Sequence, residues 1–505
     1  MVLDFRHGSD LCFCNILWGP LVLRVVPVIL VQSSWSWHLV AGGLPVNLGS
    51  DTWVRMFGLR LLVISSTIIY WRMYYIGSRP ESTILHLNML WFVIRIFILL
   101  YAGSIVVGLV GWEGLGISRF FLVAFRRSRS SLSGANITII TNRIGDIGYL
   151  IAIRYIWQTG SSAVWCVSLL LAALTKRSQY PFSSWLPAAI AAPTPVSRLV
   201  HSSTLVTAGI FLLLRHGFAG FSLLSLVGSL TIVGGGIVAL LGQDAKKIVA
   251  LSTLSQLGLI TYSLAMCSEL LTLNHLLVHA YFKSLLFMCV GVLIHSTFGT
   301  QESRTGSDIS SPRASLFLGT VSVFSISGLV ATSGARSKHM LLDRIGTVSR
   351  IATIALFVIG RVFTIMYRGK LIRVIGGLRS RVSPIGASAV NTPAVAPLLF
   401  RLWCGFIFYF CSPIVTGHVC MHMPSSPAFF VLVSLFIGVG FSAKWVIDRN
   451  LWPRLYISAR SGSVGAAISS SSVPGDVAIH RFSSILYSHV RRLLPFSILV
   501  LFILR

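Results

Sequence analysis

The sequence predicts an all-α, polytopic transmembrane helical bundle of about 13–15 spans, antiporter-like, with two inverted repeats and discontinuous helices. Three observations predict it. The chain of 505 residues is 54% hydrophobic and only 11% charged, with a mean hydropathy of +0.82; a soluble domain carries roughly 25% charged residues. Apolar runs near the length of a span recur along the whole chain, and the period-2 alternation of a barrel is not evident. Two of the runs are interrupted by proline or glycine beside a lysine, in corresponding parts of two halves, which is the pattern of inverted-repeat transporters.

In chain order, residues 1–135 are the N-terminal transmembrane helices. Residues 1–50 are weakly patterned, with one or two spans; residues 51–135 hold two or three, including Leu85–Leu109, and the turn-rich stretch GWEGLG. Residues 136–300 form the first antiporter-like repeat region, with spans Ile137–Trp157, Ser222–Leu241, Ile248–Met266 and Leu273–Ile294. Inside it, KRSQYPFSSWLPAAIAAPTPVS carries Pro181, Pro187, Pro193 and Pro195. Proline removes backbone hydrogen bonds, and at membrane depth that survives only inside protein or beside a watery cavity. The hydrophilic connection Thr300–Arg313 leads to the second repeat region, residues 301–450, with spans Leu316–Ala331, Ile351–Tyr367 and Ala428–Ile447 and the break ATSGARSKHMLLD. Residues 451–505 comprise the Ser/Gly-rich linker Ser458–Asp476 and a last apolar run that includes Phe496–Leu504.

The charge narrows the function. Net charge is +28, but the basic residues are scattered among apolar spans, so no nucleic-acid face is expected. Of the 41 basic residues, 34 are arginine and seven are lysine. Arg95, Arg154 and Arg361 sit within apolar runs, where each centrally placed arginine costs about 2.5–3.5 kcal/mol on the insertion scale. The eight cysteines show no CxxC and no metal spacing, and read as reduced core residues. No cleavable targeting segment is evident. No Walker motif, Rossmann fingerprint, haem CxxCH or iron–sulfur cysteine set is present, so no nucleotide or electron cofactor is expected in this chain.

The candidate site residues are the polar groups set in apolar sequence. In HLLVHAYFKSLLF, His275, His279 and Lys283 are spaced i, i+4, i+8 and share one helix face. Lys283 is too deep in its span to snorkel easily, and histidine suits proton relay because either ring nitrogen can carry the proton; a structural hydrogen-bond ladder is the alternative. Glu113 in GWEGLG reads either as an ion-path carboxylate paired with a lysine or as an interfacial residue on a loop. Lys176 ends an apolar run, and either exchanges protons with a nearby carboxylate or snorkels. His201, beyond the proline-rich break, lines a channel or fills the core. Lys338 stands beside Gly334 in the second break. Asp146 is a secondary proton-path candidate; it lies three residues after Arg143, and a local ion pair is the alternative. Asp244 and Lys247 are further secondary candidates, although with Lys246 they fit an ordinary helix start equally well, and Gly234–Gly236 fit close helix packing.

The strings GWEGLGIS, TNRIGDIGYL, TKRSQYPFSSWLPAAIAAPTPVSRLVHSSTLVTAG, KKIVALSTLSQLGL and HLLVHAYFKSLLF occur in this order. Together they resemble the chain 5 family of antiporter-like membrane subunits of the mitochondrial NADH:ubiquinone oxidoreductase, respiratory complex I. The resemblance is strong from about Asp51 to His295 and weaker to about Lys370. It implies two inverted five-helix repeats with broken helices, a Glu113–Lys176 pair, a central Lys283 after the histidine ladder and a final Lys338, joined in a hydrated axis that moves protons. It places the chain, multi-pass, in the mitochondrial inner membrane, against lipid and other membrane-arm subunits. NADH, FMN, the iron–sulfur clusters and ubiquinone would be bound by other subunits. An Mrp-type cation/proton antiporter subunit is the alternative of shared ancestry.

The chain departs from the family in three respects. His339 follows Lys338 where the family usually has aspartate, and the C-terminal part is short and unfamiliar. Arg95, Arg119, Arg177 and Arg198 stand where relatives usually have small residues. Because many invertebrate mitochondria read AGA and AGG as serine, much of the arginine excess is expected to be a decoding effect.

Overall fold

The computed structural model describes residues 35–376, apart from 42–43, 78–80, 160–162, 217–221, 267–268, 297–312, 329–333, 335–336, 339–340 and 342–350. The expected spans Ala428–Ile447 and Phe496–Leu504, the linker Ser458–Asp476 and nearly all of the Thr300–Arg313 connection lie outside the described residues. Among those described, thirteen helices follow one β-hairpin.

The hairpin departs from the expected all-α chain. β1 (Trp35–Ala41) pairs antiparallel with β2 (Leu44–Ser50), in a register running from Trp35 opposite Ser50 to Ala41 opposite Leu44. Gly42 and Gly43 separate the strands, the length and residue type that two-residue hairpin connections favour. The flanking valines and tryptophans suit strands. Residues 35–50 are therefore not a membrane span.

Five helices follow: α1 (Thr52–Ile76), α2 (Glu81–Tyr101), α3 (Ile105–Ala124), α4 (Arg129–Thr159) and α5 (Ala163–Lys176). The expected span Leu85–Leu109 is thus two helices. α2 stops at Tyr101, and Ser104 opens α3 by accepting the Val107 N–H at 3.4 Å, the usual role of serine at a helix start. GWEGLG is not a turn either; it lies within α3. A Cβ on Gly111 would come within 2.7 Å of the Leu99 backbone nitrogen, so glycine here lets α3 close on α2 rather than bend the chain.

The proline-rich stretch breaks the helix as expected. After α5 come α6 (Trp185–Ala188), a 3-10 turn at Ala189–Ala191, α7 (Thr194–Arg198), a π-helical turn at Leu199–Thr204 and α8 (Leu205–Arg215). Pro193 precedes α7 and Pro195 sits in its first turn, where a missing N–H is tolerated. The freed carbonyls are taken up inside the protein. Trp185 Nε1 donates to the Thr175 carbonyl at 2.9 Å, and Lys246 Nζ donates to the carbonyls of Ile190, at 2.9 Å, and Ala192. A broken helix in an apolar medium requires such partners.

The bundle continues with α9 (Ser222–Leu241), α10 (Ala245–Met266), α11 (Glu269–Ser296), α12 (Arg313–Ser327) and α13 (Ile351–Gly376). α12 ends on Gly328, whose φ of 73° suits glycine. Among the described residues, α1, α2, α3, α9, α10 and α11 are long and apolar enough to cross a membrane. The most apolar 18-residue stretches of α10 and α11 are enclosed by protein, whereas those of α2 and α3 are 33% and 39% buried. The enclosed α10 satisfies its hydroxyls on its own backbone: Ser252 donates to Val249, Ser255 to Ser252 and Ser263 to Ile260. The glycine run in α9 packs closely, as its sequence suggests: a Cβ on Gly235 would lie 2.9 Å from the Ser255 nitrogen of α10.

Candidate functional site

The site is built around α10 and α11, with the broken segment that follows α5 at one end. At its near end, Lys176 closes α5 and is fully buried. Its Nζ lies 3.2 Å from Asp146 Oδ1, donates to the Trp112 carbonyl at 3.1 Å and stands 4.9 Å from the Trp112 ring. The Trp112 indole N–H donates to the same Asp146 oxygen at 2.9 Å. Three helices, α3, α4 and α5, thus each contribute one member of a compact charged cluster. Glycines make the approach of α4 to α5 possible. Gly145 and Gly148 flank Asp146; a Cβ on Gly148 would come within 2.8 Å of the Ser168 carbonyl, and one on Gly145 would collide with Thr175.

This corrects the expected Glu113–Lys176 pair. Glu113 directs its carboxylate to Arg143, 3.9 Å away, and both side chains are substantially exposed. The reason is the turn of α3: Trp112 points inward to Asp146, and the next residue is rotated by about 100° around the helix. Asp146 does lie 3.7 Å from Arg143, as its spacing suggests, but its shorter contact is to Lys176.

His201 follows on the π-helical turn, a distortion frequent at functional sites. Its ring is stacked between Trp185 and Phe287, each centroid 6.5 Å away, and both its nitrogens are buried without a hydrogen-bond partner among the described residues. The charged side chains within electrostatic reach of it are Arg119 and Lys246.

Lys246 was missed by sequence reasoning. DAKK reads as a helix-start cluster, and Asp244 and Lys247 are one: they pair at 2.8 Å, partly exposed, at the mouth of α10. Lys246, one residue earlier than Lys247 and so turned inward, is 1% exposed. The available signal was the i, i+3 pairing of its two neighbours, which leaves Lys246 on the opposite side of the helix.

On α11, His275, His279 and Lys283 are all buried. Lys283 Nζ donates to the Val249 carbonyl at 3.2 Å and to Ser252 Oγ at 2.5 Å, both on α10. His279 finds no hydrogen-bond partner for either nitrogen among the described residues, and His275 Nδ1 meets Ser337 Oγ at 2.9 Å. Ser337 adjoins Lys338, and Lys338 Nζ donates to the Ile326 carbonyl at the end of α12. A cavity of about 10 Å³ beside Lys338, bounded also by Ser255, Gln256 and Arg361, has room for one water. The structure thus assembles Asp146, Lys176, His201, Lys246, Lys283, His279, His275 and Lys338 in the enclosed core, and leaves Glu113, Asp244 and Lys247 at its edge. Of the four buried lysines, Lys176 alone contacts a carboxylate among the described residues.

Comparison with known proteins agrees with this architecture. The family model for the transmembrane region of NADH:quinone oxidoreductases and Mrp antiporters matches residues 102–364. The chain is 40% identical over 304 residues to NADH-ubiquinone oxidoreductase chain 5 of Caenorhabditis elegans, covering 57% of each chain. It is 34% identical over 370 residues to the chain 5 of Artemia franciscana, covering 70% of this chain and 67% of that one. It spans just over half the length of the first of these relatives. The Mrp complex from Dietzia sp. shares the fold, with a TM-score of 0.68 at 22% identity over 95% of this chain and 57% of that one. With its broken segment after α5, its enclosed polar core and a family match across more than half its length, the chain belongs to the NADH:quinone oxidoreductase/Mrp antiporter transmembrane family.

Proposed function

We propose that the chain is a proton-translocating membrane-arm subunit of the NADH:ubiquinone oxidoreductase of the mitochondrial inner membrane. The observation that carries this reading is the succession of enclosed cations and imidazoles from Lys176 to Lys338, with one carboxylate, Asp146, at its near end. A carboxylate at ion-pair distance favours the charged form of a lysine, and its withdrawal favours proton release. Separation of Asp146 from Lys176 would therefore free a proton for Lys246 and Lys283, with His201, His279 and His275 as intermediate carriers and water between them. Lys338 would complete the route. The electron chemistry, with NADH, FMN, iron–sulfur clusters and ubiquinone, belongs to other subunits, and the partners of this chain are neighbouring membrane-arm subunits and lipid.

The test is Lys283→Ala in the assembled complex, in sealed membrane vesicles. Native gels should show normal assembly, while NADH-driven acidification falls by about 100-fold, the scale of losing a positioned proton carrier. Unchanged acidification would make the row structural. Sodium-dependent transport that persists without NADH oxidation would instead favour an Mrp-type antiporter.

A further inference from the structure

Gln179 is a buried amide in the broken segment that the row of cations and imidazoles leaves unused. Its place is set by the end of α5. Lys176 is the last residue of that helix. The Gln179 N–H turns back to the Leu174 carbonyl at 3.1 Å and the Ser178 N–H to the Thr175 carbonyl at 3.3 Å, with Ser178 at a φ of 54°. These are the two bonds and the left-handed residue of a Schellman stop. The turn that carries Lys176 is thereby tied to the Gln179 backbone. The Gln179 side chain reaches two other helices: its Oε1 lies 2.8 Å from Thr231 Oγ1 of α9 and 3.3 Å from Thr261 Oγ1 of α10. All three residues are buried. α9 and α10 are close-packed at this level. A Cβ on Gly228 would lie 2.7 Å from the Tyr262 nitrogen, and one on Gly258 would lie 2.8 Å from the Ile232 nitrogen.

The protons decide which way the amide faces. Each threonine hydroxyl has one proton and a carbonyl of its own helix to take it: Gly228 for Thr231, at 2.8 Å, and Gly258 for Thr261, at 2.7 Å. With Oε1 toward the threonines, Nε2 is buried with no partner among the described residues. Rotated by a half-turn, the amide nitrogen gives one proton to each threonine oxygen, and all four protons find acceptors. Because an unmade buried donor is costly, the half-turned amide is the favoured one. We infer that Gln179 is a positioning residue for Lys176: its amide fastens the end of α5 to α9 and α10, and so keeps Lys176 in place against Asp146. The same α10 offers the Val249 carbonyl and the Ser252 hydroxyl to Lys283, so one helix locates both lysines. The effect of Gln179 on transport rests on the proton-translocation reading; the fastening itself does not.

Gln179→Met keeps the length of the side chain and removes both bonds. In the assembled complex, hydrogen exchange read by mass spectrometry over residues 170–182 should show the amides at positions 178 and 179 exchanging faster. In sealed vesicles, NADH-driven acidification per assembled complex should fall by up to about 100-fold, the scale of misplacing a reacting group by about 1 Å. Thr231→Val combined with Thr261→Val should give both results, and adding Gln179→Met to that pair should change little further, because the three groups act as a unit. Thr231→Ser with Thr261→Ser keeps the hydroxyls and should retain more transport than the valine pair. If the three side chains only fill space, the order reverses, since valine matches threonine in shape and serine is smaller; that reversal overturns the inference. Unchanged exchange in Gln179→Met overturns it as well, and so does faster exchange with acidification at the parent level. Should Gln179→Met fail to assemble, the comparison of the two threonine pairs decides alone. Acidification that survives Lys283→Ala would instead remove the proton-translocation reading, and the exchange measurement would still judge the fastening.

Discussion

Lys176 and Lys283 are equally buried, but they are held in different ways. Lys176 sits against a carboxylate supplied by another helix, with a tryptophan bridging the two. Lys283 rests on a carbonyl and a hydroxyl of α10 and has two histidines along its own face. The first arrangement stores charge in an ion pair that can open. The second holds its lysine through uncharged acceptors, the relay role being the one proposed above. The same residue type at similar depth is therefore an ion-pair partner in one place and a hydrogen-bond donor to uncharged groups in the other.

The largest effect should come from breaking the ion pair on one side. Asp146→Asn keeps an acceptor for the Trp112 indole but leaves Lys176 buried without its carboxylate, a loss of about 3–5 kcal/mol. Unfolding titrations in mixed micelles would read it. Adding Lys176→Met should restore most of that stability without restoring proton transport. At the relay, Lys283→Met should leave stability unchanged or raised, because no buried partner charge is stranded; a loss as large as that of Asp146→Asn would mean that the two lysines are held alike. Ser252→Ala removes one hydrogen bond to a charged group, worth about 1.5–3 kcal/mol, and should slow proton transfer without abolishing it. Gly148→Ala pushes a methyl group into the α4–α5 seam at the Ser168 carbonyl. It should cost about 1–3 kcal/mol and weaken the Lys176 cluster while sparing the Lys283 site. The smallest effect belongs to Glu113→Gln. Its contact with Arg143 is long and exposed, so stability should change by less than about 1 kcal/mol.

Much of this arrangement could be read before the fold was known, and the failures have physical causes. The i, i+4, i+8 spacing of His275, His279 and Lys283 specifies a shared face whatever surrounds the helix. Four prolines within the stretch following Lys176 are incompatible with a continuous helix. The Asp146–Lys176 contact was hidden because Arg143 offers a competing partner at i−3, and only the packing of α4 on α5 decides between them. Lys246 was hidden by its charged neighbour. GWEGLG was misread because glycine marks a turn in water but a helix contact among apolar helices. The hairpin at residues 35–50 was missed because its alternation is brief and lies in weakly patterned sequence.

The enclosure of α10 and α11 has a consequence for the birth of the molecule. They are made before α12 and α13, and α13 supplies part of their cover: Tyr367 meets Ser255 on α10 at 2.9 Å, and Lys370 caps the end of α9 through the Leu240 carbonyl at 3.0 Å. During synthesis there is thus an interval in which a helix destined for the interior already lies in the bilayer with polar side chains uncovered. The order in which the ribosome delivers the helices makes that interval unavoidable. An insertion factor that shields nascent polar faces would act in this window, and a pause in translation after Ser296 would lengthen it.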